Sequence, residues 1–284
     1  MYVVTGATGH LGRLSVEALL ARGVAPRDLR VAVRDPAKAA DLGERGIAVA
    51  HGDYDDPASL SSALAGADKL LFISASEVGQ RVRQHTNVID AAVEAGVGEV
   101  AYTSLLSADT SRIGLAAEHL ETERLLAASG LPHVLLRNGW YLENYTEHLD
   151  GDLEHGVRLG CAADGRVSAA ARADYAEAAA VVVTGDGHAG KVYELAGDSS
   201  FTMTDLAAEV GLLSGRQVSY RDLPPEEFIA ELTKAGLPQG VAEMLADWDS
   251  GVARGDLYST RTDLHDLIGR DTTPLATAVT AAVK

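Results

Sequence analysis

Over the first 150 residues the apolar positions alternate between two spacings. Short, largely β-branched runs at Tyr2–Val4, Leu29–Val33, Ile47–Ala50, Leu70–Ile73, Val100–Thr103 and Val134–Leu136 predict six strands. Between them, apolar residues recur every three or four positions. Leu11, Leu14, Ala18 and Leu19 run to a stop at Gly23, and a second helix from about Gln80 to Gly96 turns Val82, Val88, Ile89, Ala92 and Val93 inward. A third runs from about Leu115 to Ser129 and ends at Gly130. Asp56, just before Pro57, is the expected N-cap of another. Strands that alternate with helices, and are apolar on both faces, predict a doubly wound parallel sheet of the Rossmann type, an α/β fold. After Tyr145 the alternation loosens. Tyr193–Leu195, a helix after Thr204, Val218–Tyr220 and a helix at Pro224-Pro225 predict a smaller C-terminal α+β lobe. The expected division is a sheet domain over 1–149 and a smaller lobe over 150–284. The final helix, 274–283, is expected to pack back on the main domain.

The stretch between the first strand and first helix carries the chemistry. Gly6, Gly9 and Gly12 follow the strand at a spacing of three and open the helix. The first glycine permits the sharp turn, the second lets backbone approach a pyrophosphate at the helix N-terminus, and the third lets helix and strand pack closely. Thr8, His10 and Leu11 belong to the same cofactor-binding loop. Ligands of an open parallel sheet lie beyond the carboxyl ends of its strands, so those ends supply the remaining candidates. Arg34 ends the second strand, where an arginine suits the 2′-phosphate of NADP rather than the free ribose of NAD, and Arg13 and Lys38 are expected nearby. The other reading of Arg34 is a surface pair with Asp35. Asp53 is open between an adenine contact and a turn. Ser74, Ala75 and Ser76 should border ribose and nicotinamide.

Asn138, Trp140, Tyr141, Asn144 and Tyr145 follow the sixth strand and offer amides, an indole and phenols to a planar substrate. Tyr141 and Tyr145, spaced by one helical turn, would share a face, as would Trp140 and Asn144. An interdomain packing plug is the competing account. Ser104 and His119 complete the catalytic candidates, with His119 otherwise a helix-surface residue and His85 an exposed or capping one. Asp174-Tyr175 reads as a cap and a packing residue. Asp247-Trp248-Asp249 is open between closing the cleft and covering the lobe.

Composition removes several classes. A net charge of −17, from 24 basic and 41 acidic residues, with no basic run, argues against nucleic acid and anionic membranes. The single cysteine, Cys161, excludes an internal disulfide, and the nine histidines show no metal-ligand spacing. No apolar run reaches the length of a membrane span, and the first strand at residue 2 leaves no room for a signal peptide. A cytoplasmic location is expected.

The segments TGATGHLG, VRDPAKA, HGDYDDPASL, LLFISASEVGQR, AYTSLL, HLETE, LLRNGWYLENY and KVYELAGD, in this order, resemble the NmrA-like atypical short-chain dehydrogenase/reductases. Within these the chain resembles the bacterial type 2 NAD(P)H:quinone oxidoreductases along nearly its whole length, including GLP at 236–238 and TTPLA near the end. Triphenylmethane dye reductases look like near cousins. The resemblance implies NADPH as cofactor and a quinone as acceptor. Typical members of the wider superfamily use a Tyr-xxx-Lys pair as acid/base. None of the nine tyrosines here has a lysine four positions on; Leu115 and His119 occupy the corresponding positions. That disfavours alcohol dehydrogenase, epimerase and dehydratase chemistry. A quinone is already electron-poor, and its reduced oxyanion takes a proton from water. Such a reaction needs contact and hydrogen-bond donors more than an acid. Three expectations follow: an NADPH-dependent quinone reductase; a reductase of triarylmethane or azo dyes or other conjugated electrophiles; or a non-catalytic NADP(H) redox sensor.

Overall fold

The computed structural model describes residues 1–283. Five βα units come first. They comprise β1 (Tyr2–Thr5), α1 (His10–Ala21), β2 (Leu29–Val33), α2 (Ala40–Glu44), β3 (Ala48–His51), α3 (Pro57–Leu64), β4 (Lys69–Phe72), α4 (Arg81–Ala95), β5 (Glu99–Leu105) and α5 (Gly114–Ser129). After β6 (His133–Asn138) come two short helices, α6 (Glu143–Thr146) and α7 (Leu149–His155), then β7 (Val157–Gly160), α8 (Arg172–Thr184) and β8 (Val192–Leu195). The remainder is α9 (Met203–Ser214), β9 (Ser219–Asp222), α10 (Pro225–Lys234), α11 (Gln239–Arg254), α12 (Asp263–Ile268) and α13 (Leu275–Ala282).

The main sheet is parallel, with strand order β3-β2-β1-β4-β5-β6-β8. Neighbouring residues of one strand serve opposite layers, as the period of two requires. Val4, Val31, Leu71 and Leu136 pack with α1 and α8, whereas Val3, Leu70, Phe72 and Leu135 pack with α3, α4 and α5. The order reverses between β1 and β4, where the loops leaving two adjacent strands part in opposite directions and open a crevice. The functional cleft begins there.

Two expectations about the C-terminal half need correction. Residues 150–284 are not one separate lobe: β8, expected in the small domain, pairs with β6 as the seventh strand of the main sheet, Leu136 beside Tyr193. Its crossover helix α8 lies against α1. The alternation therefore resumes after an insertion, and β8 covers the backbone edge of β6. The small lobe comprises the insertion and the later helices, with a two-stranded parallel ribbon β7-β9 and a core around Trp140, Tyr145, Phe201 and Leu206. The last helix, α13, packs on α9 and α6 rather than on the main domain; α12 is the segment that returns, against α8 and β8.

Candidate functional site

The glycine turn has the geometry that its spacing implies. Gly6 takes a left-handed φ of +62°, and the Gly9 N–H closes the turn on the Gly6 carbonyl at 3.0 Å. A Cβ on Gly12 would stand 2.3 Å from the Gly6 oxygen and 2.6 Å from the Ala7 Cα, so only hydrogen fits where α1 crosses the turn. Gly9 is the N-cap of α1 and brings no side chain to its first amides. The Arg13 N–H is the first in the helix to find a helical carbonyl, that of Gly9. Those of His10, Leu11 and Gly12 precede it and face the cleft without a protein acceptor among the described residues. Open amides, a positive helix end and a wall with no Cβ fit a pyrophosphate.

From this cradle a cavity of about 710 Å³ runs along the carboxyl ends of the strands, within the usual range of ligand sites. Gly6, Thr8, Gly9, His10, Leu11, Gly12, Arg34, Asp53, Ser74, Ala75 and Ser76 all line it. Lys38 joins them, but Arg13 does not, because its guanidinium binds Asp41 and the Lys38 carbonyl. Arg34 pairs with Glu77 at 2.9 Å rather than with Asp35, whose carboxylate accepts the Ala37 N–H. Asp53 lines the cavity, and its Oδ1 accepts the Asp55 N–H at 3.0 Å, the turn role that is one of its two readings. Asp56 caps α3 through the Ala58 and Ser59 amides.

At the other end Ser104, His119, Asn138, Trp140, Tyr141 and Asn144 converge on the cavity. Tyr145 does not. Residues 140–142 are not helical and α6 starts at Glu143, so Tyr141 and Tyr145 diverge; the Tyr145 ring lies edge-on to Phe201 in the small-lobe core. Trp140 and Trp248 stand edge to face at 5.2 Å, and Trp248 both lines the cavity and packs on the small-lobe core. Leu115 and Met244 extend the apolar wall. Arg172 lies over the Tyr141 ring, 5.3 Å from its centroid. Burial raises the Tyr141 phenol against the opposing effects of the Asn138 side chain and Arg172, so it keeps its proton at neutral pH. The Asn138 side chain is buried and its Oδ1 has no partner, an acceptor left open beside the cleft.

Both histidines of the α4–α5 layer are buried, contrary to the surface roles expected of them. The His85 Nε2 accepts the Ala75 N–H at 2.9 Å. The Thr122 hydroxyl is spent on the Glu118 carbonyl, so the His85 Nδ1 donates to Thr122 and the ring is neutral. Burial, then the charges of Arg81 and His119, depress its pKa to about 2. Tyr102 lies 2.8 Å from the His119 Nδ1. With His85 already carrying a proton on Nδ1, the phenol donates to His119, which keeps its own proton on Nε2. Burial and Arg81 hold His119 at about 3. It is a neutral donor and cannot act as an imidazolium acid at neutral pH.

Sequence reasoning missed Tyr54, Glu77, Arg81, Gln84, Arg172 and Met244, all of which line the cavity. Arg81 anchors the loop after β4: its guanidinium binds the Ala75 carbonyl at 2.7 and 3.0 Å and Glu118 at 2.6 Å. Its position just past a strand-end serine run at the start of α4 was the available signal. Arg172 and Met244 reach the cleft from distant segments and had none.

The fold and this cleft define a Rossmann-type protein with a dinucleotide cradle that opens into a second, aromatic compartment. The NmrA-like family model matches residues 2–258, and the chain belongs to that family. It is 54% identical to quinone oxidoreductase 2 of Escherichia coli (strain K12), over 98% of this chain and 97% of that one. The structure of the E. coli NADPH-dependent quinone oxidoreductase QOR2 complexed with NADPH superposes with a TM-score of 0.98 at 53% identity, covering all of both chains. The triphenylmethane reductase of Citrobacter sp. complexed with NADP(H) follows with a TM-score of 0.96 at 38% identity, covering 99% of this chain and 100% of that one.

Proposed function

We infer that this chain is an NADPH-dependent quinone reductase. The observation that carries the reading is one continuous cavity. It joins the glycine cradle to an aromatic wall and is lined by Leu115 and His119, which the family resemblance sets at the positions of the Tyr-xxx-Lys pair. The E. coli relative, a named NADPH-dependent quinone oxidoreductase, supports it.

NADPH, when bound, supplies the hydride. The amides of His10, Leu11 and Gly12 would hold its pyrophosphate, Arg34 and Lys38 its 2′-phosphate, and Asp53 and Ser74–Ser76 its ribose and base edges. Trp140, Trp248, Leu115 and Met244 form an apolar slot that excludes water and presses a planar ring against the nicotinamide position. The Asn138 amide, the Tyr141 phenol and the Asn144 amide at the rim donate hydrogen bonds to the quinone oxygen as it gains charge. The final proton comes from water. We place the enzyme in the cytoplasm, a reading supported by the single buried thiol of Cys161; no described helix is long and apolar enough to cross a membrane.

Reduction of triarylmethane dyes by the same hydride route is the second reading, favoured by the likeness to the Citrobacter enzyme. The test is NADPH oxidation by purified protein with 1,4-benzoquinone and with a triarylmethane dye, each repeated with NADH. Faster turnover of the quinone, with NADPH preferred, is expected. NADPH binding with no turnover of either acceptor would point to a redox sensor.

A further inference from the structure

We propose that Glu77 occupies the 2′-phosphate seat from within: its carboxylate holds Arg34 and yields it to the cofactor, so that Glu77 tunes the preference for NADPH over NADH. The proposal rests on the NADPH reading above. Arg34 leaves the end of β2 well exposed, and its Nη1 lies 2.9 Å from the Glu77 Oε1. The other Glu77 oxygen accepts the Gln84 Nε2 at 3.2 Å. Gln84 also donates to Asp55 at 3.2 Å, and Asp55 pairs with Arg83 at 2.7 Å. Arg34, Glu77 and Gln84 all line the cofactor end of the cavity. The belt that closes this end is thus drawn through a carboxylate, whose charge repels a phosphate seeking the same guanidinium.

The backbone around Glu77 lets the side chain swing without moving the loop. On one side Ala75 is tied through its N–H to His85 and through its carbonyl to Arg81. On the other, the Gly79 N–H donates to Glu118 at 2.8 Å. Glu77 is the tip between two anchors. Its bond to Arg34 is an exposed ion pair, a weak and easily exchanged interaction. A dianionic phosphate meets the guanidinium fork with two parallel hydrogen bonds and displaces it. Gln84 marks the inner rim: it is 3% exposed, and its Oε1 has no partner. That buried acceptor is placed for a donor on the arriving nucleotide. NADH has no 2′-phosphate and leaves the Arg34–Glu77 pair intact.

The experiment measures dissociation constants of NADPH and NADH for purified protein by quenching of Trp140 and Trp248, whose rings line the cavity. Four proteins are compared: wild type, Glu77→Gln, Arg34→Ala and the double variant. Glu77→Gln is expected to tighten NADPH about two- to fivefold, the scale of an exposed charge pair, with NADH unchanged. Arg34→Ala should weaken NADPH roughly ten- to a hundredfold, and Glu77→Gln should then add nothing. Three results overturn the proposal: no change in NADPH affinity, an equal loss for NADPH and NADH, which would make Glu77 a strap over bound adenosine, or an equal gain in the Arg34→Ala background. A wild type that fails to prefer NADPH would instead overturn the cofactor reading itself.

Discussion

The Ser104 hydroxyl donates to the Glu123 Oε1 at 2.5 Å, and Arg137 grips both oxygens of the same carboxylate at 2.9 and 2.7 Å. Arg137 in turn holds Glu194 at 2.8 Å and Asp109 at 3.1 Å. Both Glu123 oxygens are thus taken up by Arg137, and the Ser104 proton is committed to one of them. Towards the cleft Ser104 offers only lone pairs, which suits it to accept from a ligand rather than to serve as an acid. Ser104→Ala should keep quinone turnover within about tenfold of wild type, because no proton transfer is lost. Glu123→Ala should cost about 3 kcal/mol or more in urea unfolding, since it leaves a buried guanidinium short of its main partner. Loss of turnover in Ser104→Ala with NADPH affinity intact would make the serine a proton donor after all.

Gly9 and Gly12 fail differently when a methyl group is added. A Cβ on Gly12 meets backbone at 2.3 Å, whereas one on Gly9 stands 3.4 Å from the Gly6 carbonyl and points into the cradle. Gly12→Ala should lower the melting temperature through overpacking, by about 1–3 kcal/mol of stability. Gly9→Ala should melt as wild type does but lose the upward shift that NADPH gives, because the methyl stands where the pyrophosphate must approach. Thermal melts with and without NADPH separate the two. A ligand-induced shift retained in Gly9→Ala would remove the phosphate from this turn.

The parts of the molecule legible from sequence are those governed by local chemistry. The glycine turn announces itself because each glycine answers a separate steric demand, and the strand ends of β2, β3 and β4 carry their cleft residues within a few positions. The β6–β8 pairing was hidden by the insertion between Gly139 and Ala171, which breaks the alternation on which the strand count rests. His85 and His119 looked like surface residues because their partners, Ala75, Thr122 and Tyr102, come from three other segments. A buried neutral histidine leaves no pattern along the chain, since its cost is met by hydrogen bonds across it.

Tyr141 and Tyr145 share residue type and helical spacing yet have opposite environments. Tyr141 lines the cleft beneath Arg172, and Tyr145 is buried against Phe201. With Tyr141 as the proposed donor to the reduced quinone oxygen, Tyr141→Phe should lower kcat/KM roughly ten- to a hundredfold, on the scale of one oxyanion donor at a partly open site. Tyr145→Phe keeps the packed ring and should leave kcat/KM within about twofold. Steady-state kinetics with 1,4-benzoquinone at saturating NADPH decide it. Equal losses in both variants would return the segment to interdomain packing.

The paired histidines predict how stability responds to acid. In the folded protein His85 titrates near 2 and His119 near 3, against an ordinary imidazole value of 6.5 in the unfolded chain. Above 6.5 both states are neutral, and these groups add no pH dependence. Below it the unfolded chain takes up two protons that the folded protein refuses, so stability falls as the pH drops. The slope approaches about 2.7 kcal/mol per pH unit once both unfolded imidazoles are charged, and it persists until the folded groups protonate. His188, also lowered by burial, adds in the same direction. Carboxylates held down by arginines, such as Glu17 and Glu147, contribute only below about pH 4.5, where their unfolded forms begin to protonate. Asp152 and Asp249, raised by burial, take up protons on the folded side and oppose this fall, so the histidine share of the window from pH 6.5 to 5 is read from the difference between wild type and a histidine variant. Urea unfolding across it should show wild type losing stability, and His119→Gln losing it about half as steeply. An unchanged slope in that variant would mean that His119 is charged in the folded protein and available as an acid.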